Sequence, residues 1–134
     1  MLHQEKNLSR YMSNTAQISN LLSTVDLKQY FDKNNKQAKH AHDKDCLVPL
    51  SIGGVEILLT EREAHCALLT TFGYTSKEIA VYMLLSPRTI EHYLSCIKKK
   101  LYITKRSELI IALFQSDFIK VMDKLIKKRT KKRK

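Results

Sequence analysis

The chain has 134 residues, 43% of them hydrophobic, and a formal net charge of +11. That length suits one domain with a real core and excludes two sizeable ones, and the apolar content excludes a disordered chain. No apolar run is long enough to span a membrane, the N-terminus (MLHQEKNLSR) lacks a secretory pattern, and the three cysteines, Cys46, Cys66 and Cys96, are too unevenly spaced for a disulfide framework; a cytoplasmic setting is expected.

The chain begins with a stretch, roughly 4–22, that places Leu8, Tyr11, Met12, Ile18 and Leu22 near helical spacing. Ser23 and Asp26 form a possible capping box for a short second helix. FDKNNKQAKHAHDKDC, residues 31–46, is polar and reads as a linker. Residues 1–45 are thus expected to be a helical segment plus linker, either a truncated remnant or, over 1–35, a dimer or partner helix.

Residues 46–60, CLVPLSIGGVEILLT, hold two β-favouring runs around Gly53-Gly54, which suits a two-residue hairpin turn. Such a hairpin is marginal alone and must pack on the helices that follow. Thr60 and Glu63 make the capping box of a first helix, with Ala64, Leu68 and Phe72 on one face and Gly73 at its end. Thr75 and Glu78 repeat the box for a second helix with Ile79, Ala80 and Met83 inward. Ser86 and Pro87 open a third, whose stripe is Ile90, Leu94, Ile97 and Leu101. A fourth presents Leu109, Ile110 and Leu113. It either runs on through Phe118, Val121, Met122 and Leu125, or Ser116 caps a separate last helix. Residues 117–134 carry nine Lys/Arg against two Asp/Glu, most of the excess charge; such a block is a solubilising tail or finds order against a polyanion.

Three short helices with a tight connection at Leu85–Ser86 make a helix-turn-helix arrangement, in which the third helix enters the major groove of double-stranded DNA. Off its apolar stripe stand Arg88, Thr89, Glu91, His92, Ser95 and Lys99. A helical bundle with a solvated polar face would show the same spacing.

LTEREAHCALLTTFGYTSKEIAVYMLLSPRTIEHYLSCIKKKL, followed by RSELIIAL, resembles the LuxR-type helix-turn-helix domain of bacterial transcription regulators. The matching positions are Leu59, Thr60, Arg62, Glu63, Gly73, Ser76, Lys77, Glu78, Ile79, Ala80, Leu85, Ser86, Thr89, Ile90, Ile97, Lys100 and Leu101. The resemblance implies an all-α, four-helix DNA-binding domain over residues 59–116, with the short hairpin and the N-terminal helical segment added. It implies that Lys77 meets phosphate from the second helix and Thr89 at the start of the third, where Ser86 and Arg88 are further DNA-binding candidates. Glu91, His92 and Ser95 would face base edges, with Lys99 and Lys100 near the strand beyond. Arg62 and Glu63 would be an internal clamp, and the fourth helix a homodimer surface. The chain departs from the family where Glu91 replaces lysine, Tyr93 histidine and Cys96 asparagine. Glu91 would either accept from cytosine or pair along its helix with Arg88 or Ser95. Tyr93 could donate to phosphate, and Cys96 would pack.

Other chemistry finds little footing. HAHDKDC, residues 40–46, lacks the ligand spacing of a structural zinc site, and no phosphate loop, serine elbow or catalytic carboxylate pair is visible. Neither an enzyme nor a cofactor is expected. The expected function is sequence-specific transcription regulation, with the basic tail on phosphates or serving as a targeting signal. The rival is an interaction protein that forms mixed dimers with a related regulator without reading an operator.

Overall fold

The computed structural model describes residues 29–31 and 47–131. Described elements are β1 (Leu47–Ile52), β2 (Val55–Thr60), α1 (Glu61–Thr71), α2 (Ser76–Met83), α3 (Pro87–Leu101), α4 (Arg106–Gln115) and α5 (Phe118–Lys131). The fold is mostly helical with one hairpin, as expected. The expected helix over 4–22, the Ser23–Asp26 cap, the bulk of the linker with HAHDKDC, and the last three residues lie outside the described residues. No described helix is long and apolar enough to cross a membrane.

The hairpin pairs Leu47 with Thr60 through Ile52 with Val55, and both turn glycines have positive φ, 56° and 82°. Val48 and Leu50 on β1 and Leu59 on β2 are buried, following the two-residue period of a strand with one wet face. A two-stranded sheet has two open edges, and both are obstructed. On the β1 edge, Pro49 has no N–H to offer, and Ser51 exchanges bonds with Asp117 (Ser51 N to Asp117 Oδ1 2.7 Å; Asp117 N to Ser51 O 3.4 Å). On the β2 edge, the Leu58 carbonyl accepts from Lys100 Nζ at 3.1 Å and Thr60 N donates to Glu63 Oε1 at 2.8 Å.

The capping boxes at Thr60/Glu63 and Thr75/Glu78 form as the spacing predicts. α1 departs from the expected single apolar face: Glu63 to Thr70 are all buried, because every other described element packs on it. Around α1 the neighbours run α2, α3, β2, β1, α5, α4, each packed on the next. α3 and α5 therefore both pack on the central helix, with the hairpin between them.

Three helices end alike. Gly73, Leu84 and Tyr102 adopt the left-handed conformation (φ 93°, 55° and 57°). In each case the next residue's N–H bonds back five positions: Tyr74 to Leu69, Leu85 to Ala80, Ile103 to Lys98. Glycine is at ease there; leucine and tyrosine are strained by about 1 kcal/mol each. Ser116 settles the C-terminal alternative in favour of two helices. Its backbone is extended, and its hydroxyl accepts from Phe118 N (3.0 Å) and donates to the Leu113 carbonyl (2.7 Å). α5 then buries Phe118, Ile119, Met122 and Ile126.

One expectation is corrected at its edge. Phe31, counted with the linker, is 1% exposed and belongs to the core with Tyr30. Their rings meet His65 edge-on, at centroid distances of 5.6 Å (Tyr30) and 5.0 Å (Phe31), and the Tyr30 hydroxyl lies 3.1 Å from His65 Nε2.

Candidate nucleic-acid interface

α3 is anchored by Ile90, Leu94 and Ile97, all buried, and presents Arg88, Glu91, His92, Ser95 and Lys99 as exposed. Its start is fixed twice. The left-handed Leu84 turns the chain out of α2, and Ser86 Oγ accepts from Thr89 N at 3.1 Å with Pro87 in the first turn. Ser86 and Thr89 hydroxyls are 2.8 Å apart, so the pair stands together at the helix mouth. Lys77 is exposed on α2. A rigid helix whose wet face carries guanidinium, imidazole, hydroxyl, carboxylate and ammonium groups can meet both phosphates and base edges.

Two of the candidate residues, Glu91 and Lys100, are bonded to other elements of the protein. Glu91 Oε1 accepts from the hydroxyl of Ser76, the first residue of α2. Neither expected partner along its own helix, Arg88 or Ser95, is the recorded one; the bond crosses between the two helices of the turn. A carboxylate at a helix N-terminus is also favoured by the partial positive charge there. Glu78 sits at the same end, its carboxyl held below the usual range by bonds from the Thr75 backbone and hydroxyl.

Lys100 is half-buried, and its ammonium lies 2.6 Å from Glu63 Oε1 in addition to the Leu58 carbonyl. Glu63, expected with Arg62 as an internal clamp, closes on Lys100. It ties α3 to α1 and β2.

Tyr93 is half-buried against the core, with its ring centroid 6.1 Å from that of His92. His92 Nε2 and Cys96 Sγ are 3.7 Å apart, one turn along the exposed side of α3. Cys66 is fully buried with Sγ 3.5 Å from Met83 Sδ, and burial pushes its thiol up to about 12, which leaves it an inert packing group. His65 is likewise a core residue. Burial, then the nearby Arg62 charge, bring it down to about 4, so it is neutral at pH 7. Sequence reading missed the Tyr30–Phe31–His65 cluster and the bond from the Arg106 guanidinium to the Tyr74 carbonyl, which pins the start of α4 to the α1–α2 loop.

Residues 58–113 match the family described as bacterial regulatory proteins, luxR family. No curated protein and no solved structure matches the chain. Residues 58–113, from the end of β2 through α4, are a LuxR-type helix-turn-helix DNA-binding domain.

Proposed function

We propose that this chain, a DNA-binding transcription regulator by its LuxR-type domain, reads a specific operator by laying α3 in the major groove. The observation that carries the reading is the exposed face of α3, held at its start by the Ser86 cap and at its end by the Lys100–Glu63 pair. In this reading Lys77, Ser86, Arg88 and Thr89 meet phosphates at the mouth of the groove. His92 and Ser95 face base edges, with Glu91 beside them, and Lys99 and Tyr93 reach the strand beyond. Lys100 serves by orienting the helix. The basic segment after residue 117 adds sequence-independent attraction to phosphate.

A homodimer through α4, on which Ile111 is 53% exposed, would place two α3 helices on a pseudo-palindromic site. Action in the cytoplasm and a partner-binding role for residues 1–35 belong to the same proposal.

Selection of bound sites from a random DNA pool tests it: a recurring motif is expected, and affinity for that motif should fall at least tenfold in Thr89→Ala with Lys77→Ala. Unchanged affinity would remove the docking model. The engagement of Glu91 with Ser76 and of Lys100 with Glu63 takes two side chains from the contact face, which favours a second reading, mixed dimers with a related regulator. Binding confined to low salt, with no motif selected, would decide for that second reading.

A further inference from the structure

Tyr102 closes α3 in the left-handed conformation, φ 57°, where a side chain is strained and glycine is at ease. Its side chain returns nothing to the fold: it is 96% exposed and has no hydrogen bond or ring partner among the described residues. A residue kept at a conformational cost, with no packing in return, points to a function outside the fold. We infer that Tyr102 is a DNA-binding residue, its hydroxyl donating to a phosphate of the duplex beyond the end of α3. This rests on the proposal that α3 lies in the major groove.

Charge and position select the partner. Residues 92–107 hold five basic residues and no acid. Lys100 is taken by Glu63 and Arg106 by the Tyr74 carbonyl, which leaves Lys99 and Lys105, both exposed, on either side of Tyr102 in the sequence. Such a field draws a polyanion, and a phenol hydroxyl within it has a donor to offer. Arg88, His92, Ser95, Lys99 and Tyr102 fall at i, i+4, i+7, i+11 and i+14, so Tyr102 stands where the exposed face of α3 runs out. Its backbone is fixed by Tyr102 N to Lys99 O (3.3 Å) and Ile103 N to Lys98 O (3.0 Å), so the contact requires little ordering. Leu84 gives the contrast. It shares the left-handed strain and is 72% exposed, but residues 79–87 hold no basic residue and leucine has no donor. A protein partner is the weaker fit for Tyr102, because interface cores are depleted of lysine.

The test is the affinity of the full chain for a duplex carrying its selected motif, followed by fluorescence anisotropy at several salt concentrations. Tyr102→Asn tolerates the left-handed conformation, and Tyr102→Phe lacks only the hydroxyl. Each should bind about tenfold more weakly, the loss of one hydrogen bond to a charged group. The salt dependence should be unchanged in both, because a phenol displaces no counterion, whereas Lys99→Ala should lower it by about one contact. Neither Tyr102 variant should have a lower thermal midpoint. Unchanged affinity in both overturns the inference. Full affinity in Tyr102→Phe with a loss in Tyr102→Asn overturns it too, since the ring rather than the hydroxyl would bind. A lower midpoint beside the lost affinity, or weaker self-association in sedimentation, also overturns it: Tyr102 would then serve the fold or a protein contact. If Thr89→Ala with Lys77→Ala leaves affinity unchanged, the α3 reading falls and this inference falls with it. If that pair loses affinity and the Tyr102 variants do not, this inference alone falls.

Discussion

Acidification should loosen the N-terminal attachment through His65. Its ordinary value is 6.5 and its folded value about 4, set first by burial. A histidine held below its unfolded value stabilises the fold fully above 6.5, and that contribution is lost as pH falls toward 4. Linkage puts the loss at about 2 kcal/mol by pH 5 and about 3 kcal/mol by pH 4, a large share of the roughly 5–15 kcal/mol typical of a domain. The structural reason is specific: a protonated ring would sit 5% exposed between Tyr30 and Phe31, near the Arg62 charge. The assay is urea denaturation at pH 7 and pH 5 for the wild type and for His65→Gln, which cannot gain a proton in this range. The variant should be less stable at pH 7 yet lose about 2 kcal/mol less than the wild type between the two pH values. Equal pH dependence in both proteins would refute the assignment, because surface carboxylates would then account for all of it.

Tyr102→Gly should raise stability by about 1 kcal/mol by relieving the left-handed strain at φ 57°, read as a higher thermal midpoint. The side chain is 96% exposed, so little packing is lost; a lower midpoint would show that Tyr102 makes a contact of its own. Lys100→Ala should cost about 2 kcal/mol in denaturation, because Glu63, with a side chain 6% exposed, would lose its cation; the figure sits below that of a wholly buried pair because Lys100 is partly exposed. A loss under about 0.5 kcal/mol would mean the pair is merely a surface contact. Glu91→Lys should tighten DNA binding and steepen its salt dependence by about one phosphate contact; weaker binding with an unchanged fold would contradict the place given to α3.

What the sequence made legible was local. The boxes at Thr60/Glu63 and Thr75/Glu78, the Ser86-Pro87 start and the Gly53-Gly54 turn each depend on residues within three positions, and each is present. The stripe of α3 needed only its own period. What stayed hidden was either long-range or against type. Glu63 finds Lys100 across 37 positions, and Tyr30 finds His65 across 35. Nothing in a one-dimensional pattern pairs them, which is why Lys100 read as a phosphate contact and Phe31 as linker. The ends of α2 and α3 lacked the usual signal, since leucine and tyrosine stand where glycine is favoured. α1 looked amphipathic because its other side carries small or polar residues; burial of Thr70 and His65 comes from neighbours on every side.

The Ser76–Glu91 bond changes what the acid on α3 can be. As a reader of cytosine, Glu91 must turn its carboxylate to the groove, and that requires releasing the Ser76 hydroxyl. The bond is exposed, so breaking it costs about 1 kcal/mol, whereas a good base-edge contact discriminates by about 1–3 kcal/mol. Reading therefore wins only over the right base. Over any other base the carboxylate stays on α2, where it repels the phosphate that Lys77 would attract. Under the operator-reading proposal, Glu91 thus acts twice: it favours one base by leaving Ser76 and penalises the rest by staying. Ser76→Ala separates the two effects. It should free Glu91 and tighten binding to the selected motif by up to about fivefold, since the roughly 1 kcal/mol needed to break the bond is no longer spent there; an unchanged motif affinity would leave Glu91 a fastening between two helices.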